Sequence, residues 1–256
     1  MRRICVYLFV AALCVGGARA QTFTCPAGME DMLNYFVMAY PNRTTAYMGP
    51  GNANPIYTTI VPDLGAGFAA SGYFVWTKSA QGYPWDIKSF DQNYIYDRTT
   101  ELNWNDPTSF KRFDADLPIA HRCVPLASAS FSTNATAPPI QVSPAGTAYS
   151  FYGSCQSYKT QNLNYALNTV TAPILVNTNG NLGPVQTRYF NYQYGCNSSF
   201  SCSDKEVFSL GYQIGLYEWQ HYQSKNGQWV LVQTSNIDQF DGGQATPYLP
   251  CDSSYQ

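Results

Sequence analysis

Several residues near the end of the 256-residue chain have side chains that could bind a sugar. Tyr217, Trp219 and His221 alternate along one segment, and Asn236 and Asp238 follow on the next. The apolar face of a pyranose stacks on aromatic rings, while planar polar side chains hydrogen-bond its hydroxyl groups. These five residues therefore predict a carbohydrate-binding surface. The alternative is that the rings pack beneath another sheet, as aromatic residues of strands commonly do.

A second group of candidates consists of acidic residues that lie among aromatic ones between Asp86 and Asp116. Two carboxyl groups can hydrolyse a glycosidic bond, one as the acid and the other as base or nucleophile. Asp97 and Glu101 are the candidate pair. On a strand, however, their four-residue spacing separates them by roughly 13 Å, which is too far for either standard mechanism. The other interpretation is that these acids cap turns and contact solvent.

The cysteines predict a disulfide-bonded protein. Outside residues 1–20 they form an even set, which indicates three disulfides in an oxidising compartment. The six are Cys25, Cys123, Cys155, Cys196, Cys202 and Cys251. If the chain folds separately on each side of segment 127–146, Cys25 pairs with Cys123. The other four then allow three pairings. Cys196 with Cys202 and Cys155 with Cys251 is preferred, because the first closes a short loop and the second ties both ends of the later half.

Other site chemistry is not predicted. The cysteine spacing and the two histidines, His121 and His221, do not supply a zinc ligand set. Asp114 and Asp116 lack the ligands that follow in a calcium loop. The chain has no serine-hydrolase elbow, phosphate-binding loop or dinucleotide fingerprint. We therefore expect no metal and no cofactor.

Residues 1–20 have the three parts of a secretory signal peptide. Basic residues precede the apolar run 4–15, and the small residues Ala18 and Ala20 stand at the expected cleavage site. An apolar run of about 12 residues is shorter than the roughly 20 that a membrane-spanning helix needs. We expect the mature chain to begin near Gln21 and to be secreted, periplasmic or exposed at the cell surface, without insertion in a membrane.

The charge of the exported chain limits its partners. Cleavage after residue 20 would remove three of the 14 basic residues and none of the 16 acidic ones, leaving a net charge of −5. Such a balance argues against nucleic acid and anionic membrane surfaces as partners. Aromatic residues make up 16% of the chain and charged ones only 12%. This composition is typical of secreted β proteins and too apolar for a disordered chain.

The candidate sugar-binding residues lie in a predicted β-hairpin that spans 207–237. Apolar residues alternate with smaller or polar ones over 208–216, which indicates a strand with one buried and one exposed face. Asn226 and Gly227 favour a two-residue type I′ turn, in which both residues have positive φ. This turn sets a register that pairs Tyr222 with Leu231, Trp219 with Thr234, and His221 with Val232.

The alternation also predicts which side chains share a face. Tyr217, Trp219 and His221 are expected on the face opposite the apolar row 208–216. A bulge anywhere between Gly215 and Gln220 would reverse that assignment.

The rest of the chain predicts a mainly β fold. Apolar residues at helical spacing predict one helix near 27–40. Four further segments predict strands: 72–78, 147–152, 172–176 and 185–194. The fold class is therefore an antiparallel β-sandwich-like domain with one short N-terminal helix and disulfide bonds.

The domain organisation depends on one segment rich in Ser, Thr, Ala and Pro. Residues 127–146 are expected to connect an N-terminal half, 21–126, with a C-terminal half, 147–256. A single domain over 21–256 is the alternative.

The favoured function is that of a secreted binding protein without catalytic activity, whose ligand is a carbohydrate or another extracellular polymer. The first alternative is a secreted polysaccharide hydrolase that uses the acids between Asp86 and Asp116. The second is a structural or adhesive surface subunit that assembles through exposed strand edges.

Overall fold

A computed structural model describes most of the chain after its N-terminal segment. The described residues are 23–37, 45–48, 55–61, 71–77, 84–101, 110–126, 136–144, 147–152, 156–161, 165–178 and 183–241. Their elements, in chain order, are β1 (Met29–Asp31), α1 (Leu33–Phe36), β2 (Thr45–Met48), β3 (Pro55–Val61), β4 (Gly72–Thr77), β5 (Pro84–Phe90), β6 (Tyr94–Glu101), β7 (Phe110–His121), β8 (Cys123–Pro125), β9 (Ile140–Val142), β10 (Thr147–Tyr152), β11 (Gln156–Gln161), β12 (Tyr165–Val170), β13 (Ile174–Asn177), β14 (Pro184–Cys196), β15 (Cys202–Gly211), β16 (Gly215–Lys225) and β17 (Gln228–Asp241).

The described strands pair in antiparallel fashion. One sheet has the order β11-β10-β7-β6-β5-β4-β3-β2-β17-β16-β15-β14-β12-β9, with β13 also paired to β14. Strands β1 and β8 form a separate two-stranded sheet. The predicted mainly antiparallel β class with one short helix is therefore confirmed. Among the described residues, no helix is long and apolar enough to cross a membrane.

The main apolar core lies where the helix and two parts of the sheet meet. Phe36 of α1 stacks on Trp76 of β4, with 5.8 Å between the ring centroids. Trp76 lies 5.8 Å from Phe208 of β15, and Phe208 stacks on Phe190 of β14 at 5.4 Å. Phe74 and Trp76 are both fully buried, as expected for one side of the predicted strand 72–78. Phe190, Phe208 and Leu216 anchor β14, β15 and β16 in this core. These three strands carry the candidate site.

The helix is shorter than predicted. Residues 27–40 were expected to be helical, but α1 spans only Leu33–Phe36 and is preceded by strand β1. The carboxylates of Glu30 and Asp31 in β1 bind the buried side chains of Arg188 and Arg122. Those ion pairs, together with the β1–β8 pairing, stabilise an extended backbone against the local helical pattern.

The predicted connection contains a strand. Residues 140–142 of segment 127–146 form β9, which pairs with β12, and Ile140 and Val142 are buried there. Residues from both sides of this segment share the main core. The division into two halves stays a prediction.

Two of the expected disulfides are present. Cys25 is bonded to Cys123, and Cys196 is bonded to Cys202. Cys155 and Cys251, which the sequence pairs with each other, lie outside the described residues. Bonds of this kind are typical of proteins from an oxidising environment.

Candidate functional site

The hairpin that carries the candidate residues has the predicted turn. Asn226 and Gly227 have φ values of 53° and 77°, as a type I′ turn requires. Tyr222 lies opposite Leu231, as expected, but the register then shifts by one residue. The shift leaves Val232 unpaired.

The shift moves the remaining predicted pairs. His221 lies opposite Gln233 rather than Val232, and Trp219 lies opposite Ser235 rather than Thr234. A β-bulge in β17 is the physical cause, since one strand carries an extra residue at this point.

A second turn lies inside the segment that the alternation predicts to be one strand. β15 ends at Gly211 and β16 begins at Gly215. Between them, the Ile214 N–H donates to the Gly211 carbonyl at 3.0 Å, and Gln213 has a φ of 58°. The apolar row 208–216 therefore belongs to two paired strands.

A β-bulge at Tyr217 in β16 reverses the predicted face of Trp219, and it lies within the interval 215–220 in which a bulge is predicted to have this effect. Phe208 lies directly opposite Trp219, so the two residues share one face of the sheet. The expectation that Trp219 lies opposite the apolar row is therefore wrong.

Tyr217 leaves the predicted surface because of a bulge in β16. Ser209 pairs with Glu218 and Leu210 with Leu216, so Tyr217 has no cross-strand partner. Its ring is buried, and its hydroxyl lies 2.9 Å from Oγ1 of Thr187. Burial raises the pKa of Tyr217 to about 12. The predicted grouping of Tyr217 with Trp219 is corrected: Tyr217 is a core residue.

The register places six aromatic and acidic residues on one face, beyond the apolar core. Tyr192 pairs with Glu206 and Tyr194 with Asp204, while Glu206 pairs with His221 on its other side. We call this surface the Trp219 face and define it by Tyr192, Tyr194, Asp204, Glu206, Trp219 and His221. All six are partly buried, so part of each side chain is open to solvent.

Hydrogen bonds join the polar atoms of the Trp219 face. Trp219 Nε1 donates to Glu206 Oε2 at 3.1 Å, and the Tyr194 hydroxyl also bonds to Glu206. His221 Nε2 lies 3.1 Å from Asp204 Oδ1 and 3.3 Å from the Tyr194 hydroxyl. When Nε2 carries the proton, His221 donates to Asp204. Both carboxylates are therefore held in place by neighbouring donors.

These contacts set the charge of the face. A hydrogen bond from the Ser203 hydroxyl to Asp204, 2.6 Å long, lowers the pKa of the Asp204 carboxyl, and a hydrogen bond from His221 lowers it further. Burial raises the pKa of Tyr194, and the charges of Glu206 and Asp204 raise it further. At neutral pH Asp204 is ionised and Tyr194 is neutral. The surface thus offers a carboxylate acceptor beside a phenol.

The aromatic rings of the Trp219 face stack on each other. Tyr192 and Tyr194 have centroids 5.2 Å apart, Tyr194 and His221 6.3 Å, and His221 and Trp219 6.2 Å, with interplanar angles of 19–26°. Rings inside such a row present edges rather than faces to a ligand. The row therefore favours hydrogen bonding by its polar edge atoms over broad ring stacking.

A disulfide-closed hairpin positions Tyr194 and Asp204. Cys196 lies opposite Cys202 and is bonded to it, two residues beyond this pair. In the turn between the cysteines, Oδ1 of Asn197 accepts the backbone N–H groups of Ser199 and Ser201 at 2.9 and 3.1 Å. The turn and the disulfide hold the C-terminal end of β14 against the N-terminal end of β15, next to Tyr194 and Asp204.

A side chain at Gly195 would be unfavourable in this hairpin. Its φ is 61°, and a Cβ at this position would clash with the Ser203 hydroxyl, which bonds to Asp204. Glycine is therefore favoured both by the backbone conformation and by the close approach of the Ser203 side chain.

The structure gives only the backbone positions of the other two predicted binding residues, Asn236 and Asp238, relative to the Trp219 face. Asn236 lies opposite Glu218, one register position from Trp219. Asp238 lies further along β17. The side chains of both residues are outside the described part of the structure.

Of the predicted catalytic pair, the structure describes the side chain of Asp97 only. Asp97 is buried and accepts a hydrogen bond from Lys88 Nζ at 2.9 Å, which is the environment of a structural ion pair. Glu101 ends β6, and its side chain is not described. Asp91 accepts the backbone N–H groups of Asn93 and Tyr94, so at this position the turn-cap interpretation is confirmed.

Sequence reasoning missed four residues of the Trp219 face. Tyr192, Tyr194, Asp204 and Glu206 alternate on either side of the predicted Cys196–Cys202 loop. Treating that loop as a hairpin would have placed these side chains opposite one another. Within the described part of the chain, no three His, Cys, Asp or Glu residues are grouped to hold a metal ion.

Comparisons with protein-family models, with curated proteins and with solved structures found no match to this chain.

Proposed function

We propose that this protein is a secreted, non-catalytic binding protein, and that the Trp219 face binds a carbohydrate or another hydroxyl-rich extracellular polymer. The observation that carries this proposal is the pair of carboxylates, Asp204 and Glu206, held by aromatic donors on one partly buried face. Carboxylate oxygens accept hydrogen bonds from neighbouring hydroxyls of a sugar, and the fixed side chains lose little entropy on binding.

The stacked rings also favour this ligand class. Because the inner rings present edges, a ligand contacts the Tyr194 hydroxyl and the remaining acceptor positions of the two carboxylates. A hydroxyl-rich polymer can use all of these groups, since each sugar hydroxyl both donates and accepts. An apolar ligand would remove water from the ionised Asp204 carboxylate without replacing its hydrogen bonds.

Binding without hydrolysis agrees with the charge of the site. A glycosidase needs a carboxyl group whose pKa is raised, so that it carries a proton at neutral pH. The pKa of Asp204 is lowered instead. In the alternative pair, Asp97 is already bound to Lys88. These observations support a binding role over the hydrolase alternative.

Two further parts of the proposal concern architecture and export. Contact between Trp76 and Phe208, and a hydrogen bond from Asn168 of β12 to the Pro118 carbonyl of β7, support a sheet that folds over itself as a sandwich. Export follows from the signal-like segment 1–20 and agrees with the two disulfides. N-terminal sequencing of the exported protein should then begin near Gln21.

A binding screen tests the function. The oxidised mature protein is mixed with soluble starch, cellulose oligomers, xylan, mannan, chitin oligomers and β-glucan, while released reducing sugar is measured in parallel. Trp219→Ala should weaken binding at least tenfold, or about 1.4 kcal/mol. Trp229→Ala is the matched control, because Trp229 lies on the same hairpin and contacts Lys205 on the other face. Absence of binding to every glycan, or equal loss in both variants, would overturn the proposal, and release of sugar would favour the hydrolase.

A further inference from the structure

Among the described residues, strand β17 has a neighbour on one side only near the turn of the hairpin. From Gln228 to Ser235 it pairs with β16 on one side, and its pairing with β2 begins only at Ile237. Within the described residues, no strand lies on the other side of 228–235. The backbone N–H and C=O groups on that side need water or another strand as partner.

This edge strand carries apolar residues on both faces. Val230, Leu231 and Val232 are 39%, 47% and 42% exposed. Val230 lies opposite Gln223 and Leu231 opposite Tyr222, so consecutive residues point to opposite faces. A continuous apolar run of this kind is typical of a strand that has neighbours and is covered on both faces. In this structure the apolar run Val230–Val232 is instead exposed to solvent.

The turn determines which backbone groups are free. In a two-residue hairpin, the residues that flank the turn, Lys225 and Gln228, form the hydrogen-bonded pair, and bonded and non-bonded pairs then alternate. Trp229 and Leu231 therefore direct their N–H and C=O groups away from β16. These two residues can bond to an added strand without loss of a bond within the hairpin.

We propose that a second copy of this chain adds to this edge, with the two β17 strands antiparallel about a twofold axis near Leu231. Residues 228–237 contain no charged side chain, so the twofold places no like charges opposite each other. The stretch also lacks the lysine or proline with which edge strands commonly prevent pairing. Two copies of this neutral, apolar strand can therefore lie side by side without charge repulsion.

The bulge at Val232 limits the size of the interface. It bends the edge, so pairing is confined to a short stretch around Leu231. Such a contact buries less than the roughly 1,200 Å² of a standard stable interface. We therefore expect a reversible dimer that dissociates on dilution, with a dissociation constant in the micromolar range or weaker, about 1 μM to 1 mM.

Sedimentation equilibrium of the oxidised full mature chain tests the proposal. The wild type should show a concentration-dependent monomer–dimer equilibrium. Leu231→Lys should be monomeric, because the twofold brings the two lysines opposite each other. Leu175→Lys is the matched control, since Leu175 of β13 is also a leucine and is even more exposed than Leu231, and this variant should dimerise as the wild type does. Far-UV circular dichroism checks that each variant is folded.

A charge-complementation experiment makes the geometry specific. Leu231→Lys and Leu231→Glu should each be monomeric, and their mixture should form heterodimers. A wild type that stays monomeric at about 1 mM, a Leu231→Lys variant that dimerises normally, or a mixture that stays monomeric would overturn the twofold pairing. Loss of association in Leu175→Lys as well would also overturn it, because β13 would then be part of the contact. None of these results depends on whether the Trp219 face binds a glycan.

Discussion

The carboxylate of Glu30 in β1 lies 2.7 Å from Nη2 of Arg188 in β14, in an ion pair between residues 158 positions apart. Arg188 is completely buried and also donates to the carbonyl groups of Thr171 and Pro125. The next residue, Asp31, pairs with the equally buried Arg122. Strand β1 thus supplies a carboxylate to each of two completely buried arginines.

Loss of the Glu30 carboxylate should destabilise the fold strongly. Removing one partner of a buried ion pair typically costs about 3–5 kcal/mol of stability. Glu30→Ala should therefore unfold at much lower urea concentration than the wild type. Glu30→Gln, which keeps the side-chain shape and one acceptor, should lose less. Equal urea midpoints for the wild type and Glu30→Ala would contradict this account of β1.

Tyr217 should affect stability rather than binding. Tyr217→Phe removes the hydrogen bond with Thr187 and should cost about 1 kcal/mol at neutral pH. The raised pKa of Tyr217, about 12 against an ordinary 10.0, means that the neutral phenol stabilises the fold below pH 10. That stability is lost as the pH rises from 10 to 12. Tyr217→Phe should show a smaller loss over this range in denaturant unfolding.

A glycan that binds the wild type should bind Tyr217→Phe equally well. Weakened glycan binding by folded Tyr217→Phe would return Tyr217 to the binding surface.

Gly195 gives a test of the hairpin that positions the site. Gly195→Ala should cost about 1–2 kcal/mol for the left-handed backbone and more for the clash with Ser203. It should also weaken glycan binding, because Ser203 orients Asp204. Gly183→Ala is the matched control: Gly183 has a φ of 64° but open space around its Cβ position. It should be strained without loss of binding, and equal effects of the two variants on binding would contradict the proposed role of Ser203.

Asp204 should make the protein sensitive to acid. Its pKa lies below the ordinary value of 3.8, so the ionised carboxylate stabilises the fold at and above that value. This contribution is lost as the pH falls through the lower folded-state pKa. Asp204→Asn should therefore lose less stability than the wild type as the pH falls below the ordinary value of 3.8. Ser203→Ala should show an intermediate loss, because it removes the largest cause of the lowered pKa. If the wild type, Asp204→Asn and Ser203→Ala all unfolded at the same acidic pH, the proposed contribution of the Asp204 carboxylate would be contradicted.

The local parts of the fold could be predicted where the residues themselves determine the backbone. Asn226 and Gly227 both adopt positive φ, and the strand Thr147–Tyr152 has the predicted bounds. The short loop between Cys196 and Cys202 is closed by a disulfide, as its length suggested. In each case the deciding interaction lies within a few residues of the chain.

Other parts depend on contacts that are distant in the sequence. The turn after Gly211 is stabilised by bonds from the Gln213 N–H to the Asn34 carbonyl and from the Tyr212 N–H to the Gln186 carbonyl. Apolar alternation alone cannot distinguish such a reversal from one continuous strand. The Trp219 face could not be predicted as a unit for this reason, because the turn pairs β15 with β16 and the bulge at Tyr217 then places Trp219 on the same face as Glu206.

The most direct test of the Trp219 face follows the indole N–H signals of the five tryptophans by nuclear magnetic resonance. The Trp219 signal is assigned with Trp219→Phe, and an oligosaccharide of each glycan in the screen is then titrated into the labelled protein. We expect the Trp219 signal to shift and saturate, because its N–H bonds to Glu206, while the Trp229 signal stays unchanged. Shifts confined to Trp229, or no shift with any oligosaccharide, would contradict carbohydrate binding by this face.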